Sequence, residues 1–193
     1  MKRLILFAAF LLWNSSSMFP QSPNTEQENI QKATDVVREW FRRWNALDGS
    51  VESIDRFVEL YHPNALHVTG PQDERIGAAF YEGHSMLRKL AENAGKTYCR
   101  QAFYIKMRTS ANQVGEGGGS KTAELMTAAP GPLGGTSVVV ELGASYDYRE
   151  TKKRFMVPGA AFFDVLDGKI TRLRMYYSRG EYFEVTNSPG CVN

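Results

Sequence analysis

The feature that most constrains this fold lies near the C-terminus, where Asp167-Gly168 separates two strand-like runs. An Asp-Gly pair between runs rich in aromatic and branched residues favours a two-residue hairpin, because both residues of such a turn adopt positive φ. We therefore predict that a strand from Arg154 to Leu166 pairs antiparallel with a strand that begins at Lys169 and reaches about Val185.

Helical patterns precede these strands. Apolar residues recur at three-and-four spacing from Ile30 to Leu47, and order is predicted to begin near Asn29. Ser50 is placed to cap a second helix that reaches about Tyr61. The other predicted elements are short strands at 65–69 and 75–81, a helix at 83–93 stopped by Gly95, strands at 99–108 and 122–127, and a long strand at 136–148. This order predicts an α+β domain with helices packed on one face of a strongly curved sheet.

The first 17 residues are predicted to be a secretory signal peptide. Lys2-Arg3 precede an apolar run, Leu4 to Trp13, and small polar residues follow it. Ten apolar residues are too few to span a bilayer, so no integral membrane segment is expected after signal removal, and the mature protein is expected to be periplasmic or secreted. The predicted organisation continues with a disordered lead-in at 18–28, one domain at 29–187 and a tail at 188–193.

The charge balance excludes one class of partner. The chain has 23 Lys and Arg against 21 Asp and Glu, and removal of Lys2 and Arg3 leaves 21 of each sign. Nucleic-acid binding needs clustered excess positive charge, so no nucleic-acid partner is expected. The 42% hydrophobic content is sufficient for one domain with a substantial core.

The two cysteines are Cys99 and Cys191. In an oxidising compartment such a pair can form a disulfide, but two cysteines without geometry leave the bridged and free states open.

Three stretches carry a resemblance to a known family. They are residues 44–49 with 57–67, residues 81–87, and the C-terminal hairpin through Tyr177-Ser178. In these stretches the chain resembles the nuclear transport factor 2-like superfamily, within it the SnoaL-like and ketosteroid isomerase-like branch, from about residue 33 to 185. The resemblance implies a cone-shaped, curved antiparallel sheet with three N-terminal helices on its concave face, an apolar pocket, and a homodimer formed through the sheet.

The residues that make relatives catalytic are replaced. By motif alignment, the isomerase tyrosine falls at Trp40, its base at Gly70 and its second acid at or near Pro158. The position of the cyclase acid is occupied by Ser178 or Arg179. None of these residues supplies a carboxylate or phenol, so isomerase or cyclase chemistry is not carried over. The resemblance implies no cofactor.

Six residues are predicted to line an apolar ligand pocket or, alternatively, to fill the core. They are Trp40, Trp44, Tyr61, His67, Phe103 and Phe163. Two glycine-rich stretches, 114–120 and 130–135, are predicted to form a rim or lid over this pocket.

Three other groups could act as acid or base: His67, Glu141 and Asp164. The alternative for His67 is a buried histidine hydrogen-bonded to its surroundings, and for the acids a solvated or salt-bridged position. The spacing of the three histidines does not predict a metal site.

Three hypotheses follow. The first is an exported binder of a small hydrophobic molecule; the second is an isomerase, cyclase or hydrolase that uses a pocket acid or histidine. The third is a dimeric structural or partner-binding module without an open pocket.

Overall fold

The Asp167-Gly168 turn closes the predicted hairpin in the computed structural model of this protein. Asp167 has φ 51° and Gly168 φ 74°, and Leu166 pairs with Lys169. The structure describes residues 23–71, 79–110, 121–177, 183–185 and 191. The hairpin prediction is therefore confirmed, because both turn residues have the positive φ that this loop requires.

The described part of the chain has three α-helices, ten strands and a short 3-10 helix at Pro132–Gly134. The helices are α1 (Pro23–Asn45), α2 (Val51–Val58) and α3 (Gly83–Thr97). The strands are β1 (Tyr61–Pro71), β2 (Ala79–Glu82), β3 (Tyr98–Ile105), β4 (Met107–Ser110), β5 (Lys121–Glu124), β6 (Met126–Pro130), β7 (Thr136–Tyr148), β8 (Arg154–Leu166), β9 (Lys169–Tyr177) and β10 (Phe183–Val185). The bounds of β7 and β8 are those predicted from the sequence.

The main sheet has the order β2-β1-β9-β8-β7-β3, with β6 beside β7 and β10 beside β8. Strands β4 and β5 form a separate pair. The sheet is mixed, which corrects the prediction of a purely antiparallel sheet, because β1 and β9 are parallel, with His67 beside Leu173. A tight turn forces its two strands to be antiparallel, but β1 and β9 are far apart in sequence and are free of that constraint.

The helices differ from the sequence pattern at their ends. Helix α1 begins at Pro23, which suits a first helical turn, so it includes residues 23–28 of the predicted disordered lead-in. Ser50 caps α2 as predicted, accepting a hydrogen bond from the Ser53 N–H at 3.1 Å. Helix α3 runs through Gly95, where an added Cβ would lie 3.2 Å from the Gly49 Cα. Gly95 thus allows two backbones to approach and does not stop the helix.

The core lies between the helices and one face of the sheet, and Trp40 is at its centre. The Trp40 ring stacks on Trp44 at 5.5 Å between centroids and meets Phe163 edge-on at 5.6 Å. Alternation on β7 gives the sheet its two faces: Val140 is buried toward the helices, whereas Val139 is 37% exposed on the other side. We call these the inner and outer faces.

A disulfide joins the C-terminal end of the chain to the start of β3. Cys99 and Cys191 are bonded, with their Cα atoms 5.5 Å apart. Next to them, Asp147 is buried and holds Arg154 through two hydrogen bonds of 2.6 and 2.7 Å. The bridge closes a loop with a sequence separation of 92.

We expect Cys99→Ser to lower the free energy of unfolding by about 2–5 kcal/mol, because a cross-link over a long loop restricts the unfolded chain. Urea denaturation of the variant, beside the oxidised and the reduced wild type, measures this loss. The reduced wild type should match the variant. Two alkylatable thiols in the protein purified without reductant would contradict the bridge.

Candidate functional site

A cavity of about 470 Å³ lies between α3 and the inner face of the sheet. We call it the tyrosine cavity, because five of its lining side chains are tyrosines. The lining residues are Trp44, His67, Thr69, Gly70, Tyr81, Leu90, Asn93, Ala94, Thr97, Tyr98, Tyr146, Tyr148, Phe155, Val157, Met175 and Tyr177.

Strand alternation and register bring this lining together. Tyr146 and Tyr148 are two residues apart on β7 and so face the same side of the sheet. Phe155 on β8 pairs directly with Tyr146. On the opposite wall, α3 contributes four residues at helical three-and-four spacing: Leu90, Asn93, Ala94 and Thr97.

Gly159 lies directly beside one of the tyrosine rings that line the cavity. Gly159 pairs with Tyr177 across β8 and β9, and an added Cβ there would lie 2.4 Å from the Tyr176 carbonyl oxygen and 3.1 Å from the Tyr177 ring. The absence of a side chain at 159 therefore allows the Tyr177 ring to pack closely against β8.

The tyrosine rings are packed against one another. Tyr98 lies 4.9 Å from Tyr146 and 5.0 Å from Tyr148 between ring centroids. Burial raises the pKa of Tyr98, Tyr146 and Tyr177, and the Tyr177 hydroxyl donates a hydrogen bond to Met175 Sδ at 3.8 Å. These phenols therefore stay protonated and uncharged at neutral pH.

His67 is part of a hydrogen-bonded chain that begins in the core. The Trp40 indole Nε1–H donates to the Tyr61 hydroxyl oxygen at 2.6 Å, and the Tyr61 oxygen lies 3.0 Å from His67 Nδ1. An indole can only donate, so the Tyr61 hydroxyl hydrogen is left to bond His67 Nδ1. His67 is 1% exposed, and burial lowers its pKa to about 3. The imidazole is therefore neutral, with Nδ1 as acceptor and the hydrogen on Nε2.

Of the six predicted pocket residues, Trp44 and His67 line the cavity. The other four are core residues: Trp40, Tyr61, Phe103 and Phe163. For these four residues the structure shows the core-filling alternative. Phe163 lies six residues beyond Val157 on β8, about 20 Å further along the strand, where the sheet is covered by α1.

The two predicted acids are outside the cavity. Glu141 is exposed on the outer face of β7. Asp164 accepts a hydrogen bond from Ser137 Oγ at 2.7 Å and lies 4.0 Å from the Arg174 guanidinium. Both are on the side of the sheet away from the helices, because each alternates with a buried inner-face residue. The salt-bridged or solvated alternative is thus the correct one for these two acids.

The positions at which catalytic relatives carry their acid, base or tyrosine lie in several different parts of this structure. Trp40 donates its N–H within the core, and Gly70 lines the cavity without a side chain. Pro158 on β8 pairs with Gly143 on β7, and Ser178 lies outside the described residues.

The second glycine-rich stretch, 130–135, does not form a rim over the tyrosine cavity. An added Cβ at Gly135 would lie 2.4 Å from the Val165 carbonyl oxygen, at the hairpin end of β8. Thr136, the next residue, is ten positions before Tyr146 on β7, about 33 Å along the strand. The first stretch, 114–120, lies outside the described residues.

Two other features of the described ranges bear on function. No group of three or more His, Cys, Asp or Glu side chains there is arranged to hold a metal ion. None of the helices in these ranges has the length and apolar character needed to cross a membrane.

We expect the buried neutral His67 to make the protein less stable in mild acid. Its folded pKa of about 3 is below the ordinary 6.5, so between these values the unfolded chain binds a proton that the folded chain does not. The stability is therefore lost as pH falls below 6.5, by about 2 kcal/mol between pH 6.5 and pH 5.

Urea denaturation at both pH values checks this. His67→Asn keeps an acceptor for Tyr61 and should remove this part of the pH dependence, whereas His62→Asn, at an exposed histidine, should leave it unchanged. Equal pH dependence in the wild type and His67→Asn would contradict the assignment.

Comparison with known proteins gives structural matches only. No family model matches the chain, and no curated protein matches its sequence. A candidate polyketide cyclase from Xanthomonas campestris pv. campestris aligns with a TM-score of 0.53 and 22% identity, over 78% of this chain and 93% of that one. A protein with a ketosteroid isomerase-like fold from Catenulispora acidiphila gives a TM-score of 0.52 and 15% identity, over 75% and 86% of the two chains.

A third structure has the same fold. A nuclear transport factor 2-like protein of unknown function from Exiguobacterium gives a TM-score of 0.51 and 10% identity, over 75% of this chain and 98% of that one. These identities establish architecture and leave chemistry open. The fold predicted from the sequence motifs is confirmed: the chain has the nuclear transport factor 2-like, ketosteroid isomerase-like fold.

Proposed function

We propose that the protein binds a small, uncharged, hydrophobic molecule in the tyrosine cavity. The observation that carries this proposal is the lining itself, which has seven aromatic rings and no Asp, Glu, Lys or Arg. A volume of about 470 Å³ suits a drug-sized ligand, and such sites are mainly apolar with a few polar groups.

The absence of charge from the lining specifies the ligand further. A charged ligand would lose its hydration on entry and find no opposite charge among the residues that line the cavity. The phenols of Tyr98, Tyr146 and Tyr177 are protonated and His67 is neutral, so these side chains present aromatic surface and neutral hydrogen-bonding groups to the cavity. An uncharged ligand is therefore favoured.

The alternative of an enzyme with a pocket acid or histidine has less support. The lining contains no carboxylate, and the Nδ1 lone pair of His67 already accepts the Tyr61 hydroxyl. A conjugate-acid pKa of about 3 also makes His67 a weak base at neutral pH. The alternative of a module without an open pocket does not account for the cavity.

We expect fluorene, an uncharged tricyclic hydrocarbon, to raise the melting temperature of the purified protein. Fluorene-9-carboxylate should bind at least about tenfold more weakly, because its charge is not compensated. Ala94→Phe should abolish the effect of fluorene by filling the cavity from α3, whereas Ala123→Phe, at an exposed alanine on β5, should leave it intact.

Differential scanning fluorimetry and isothermal titration measure these effects, and native mass spectrometry of the purified protein tests for a co-purified ligand. The absence of both a co-purified ligand and a thermal shift with flat uncharged compounds would overturn the binding proposal. Tighter binding of the carboxylate than of fluorene would overturn the uncharged class.

We also propose that the protein is exported after cleavage of the N-terminal signal. The disulfide between Cys99 and Cys191 supports this, because such bonds persist mainly in oxidising compartments.

A homodimer through the outer face of the sheet is a further proposal. Apolar side chains are exposed on this face, namely Tyr104 at 49%, Val139 at 37% and Tyr176 at 37%. Large exposed apolar side chains grouped on one face are typical of protein interfaces.

We expect Val139→Glu to shift a dimer to a monomer, since it places a charge in the centre of this face. Size-exclusion chromatography with light scattering measures the mass, and Val51→Glu, at a 70% exposed position on α2, serves as the matched control. A wild-type protein that is monomeric at every concentration would contradict the dimer.

A further inference from the structure

The disulfide bridge lies against one wall of the tyrosine cavity. The Cys99 Sγ is 3.2 Å from the Asp147 carbonyl oxygen, and the Cys191 Sγ is 3.4 Å from the Tyr148 carbonyl oxygen. Tyr98, the residue before Cys99, lines the cavity together with Tyr148, and their ring centroids are 5.0 Å apart. The bridge therefore contacts β7 at the point where a side chain of β7 forms this wall.

Strand β10 supports the next part of the same wall. Glu184 of β10 pairs with Phe155 of β8, and the Phe155 ring, which also lines the cavity, lies 5.0 Å from the Tyr148 ring between centroids. β10 has three residues and pairs with β8 alone among the described strands, and Cys191 follows it in the sequence. A strand this short near a chain end is weakly held unless the end is tied down, so β10 depends on the bridge to stay against Phe155.

The start of β3 is held by other bonds as well as by the bridge. The Arg149 guanidinium donates to the carbonyl oxygens of Gly95 and Tyr98 at 3.3 and 3.1 Å. The Arg149 backbone N–H donates to the Thr97 carbonyl oxygen at 3.0 Å. These bonds remain when the bridge is open, so reduction is expected to release β10 from its anchor while Tyr98 stays in place.

We propose that the tyrosine cavity and the bridge are coupled: the closed bridge strengthens ligand binding, and a bound ligand makes the bridge harder to reduce. This inference rests on the proposed function, because the ligand is the hydrophobic molecule of the tyrosine cavity. With the bridge closed, Tyr148 and Phe155 are held in place before the ligand arrives, whereas with the bridge open, binding must also order β10 and this wall. By linkage, reduction weakens the ligand by the same factor by which the ligand opposes reduction.

The reductant of the bridge is a dithiol. One of its thiolates attacks a bridge sulfur to form a mixed disulfide, and its second thiol then displaces the protein sulfur. The products are the free thiols of Cys99 and Cys191 and the disulfide form of the reagent, so two electrons and two protons pass from the dithiol to the bridge. For this two-electron couple, a tenfold change in equilibrium corresponds to about 30 mV.

Binding and redox measurements test the coupling from its two sides. Isothermal titration with fluorene compares the oxidised protein with the protein reduced by dithiothreitol, and we expect at least about tenfold weaker binding to the reduced protein. Equilibration in mixtures of reduced and oxidised dithiothreitol, followed by alkylation and mass spectrometry, gives the midpoint potential of the bridge. Saturating fluorene should lower this potential by about 30 mV for each tenfold difference in affinity.

Variants separate the coupling from a general loss of stability. Cys99→Ser and Cys191→Ser remove the bridge from its two sides, and each should bind fluorene as weakly as the reduced wild type. Ile170→Ala is the matched control, because it removes a fully buried side chain at the hairpin end of β9, about 23 Å along the strand from Tyr177, and lowers stability to a similar extent. Its fluorene affinity should equal that of the oxidised wild type. A bridge that acted only on the unfolded chain would change stability and leave every affinity the same.

The outcomes distinguish the coupling from the proposed function. Equal or tighter binding of fluorene to the reduced protein overturns the coupling and leaves the hydrophobic binding proposal standing. If fluorene binds neither form, the proposed function fails and the coupling fails with it. If the reduced protein does not fold, amide hydrogen exchange of the oxidised protein decides: fluorene should slow exchange in β10 about tenfold, and unchanged exchange there overturns the coupling.

Discussion

The hydrogen bond from the Trp40 indole to the Tyr61 hydroxyl is the interaction on which the rest of the site depends. It joins the C-terminal part of α1 to the first residue of β1 and leaves the Tyr61 hydrogen for His67. Rings from α1, α2, β1, β3 and β8 pack around the same indole. Trp40 thus takes part both in the core packing and in the hydrogen bonds that orient a cavity residue, because a buried polar group must have a partner.

The inner face of the sheet is divided along the length of its strands. At the hairpin end, Phe163 and Leu173 are fully buried beneath the helices, whereas at the other end Phe155 and Tyr177 border the tyrosine cavity. The same alternation of side chains produces both regions. What differs is the covering layer: α1 fills one end with aromatic rings, and α3 presents smaller residues such as Ala94 and Thr97 to the other.

Much of the fold could be predicted from local signals. Three features could be predicted from the sequence: the Asp167-Gly168 turn, the bounds of β7 and β8, and the Ser50 cap. Each depends on a local property, namely positive φ, side-chain alternation or helix capping, that involves only a few neighbouring residues. The parallel pairing of β1 with β9 could not be predicted from the sequence, since no tight turn links these two strands. The run of α3 through Gly95 also depended on a distant residue, Gly49.

The candidate site was predicted less well than the fold. Trp44 and His67 were identified, but Tyr146, Tyr148 and Tyr177 were missed, although the spacing of Tyr146 and Tyr148 placed them on one face of β7. The sequence by itself determined which residues share a face and where the chain turns. Only the tertiary structure decided which aromatic residues fill the core and which border an open cavity. The reason is that both outcomes depend on the register between strands distant in sequence and on the position of α3 over the sheet.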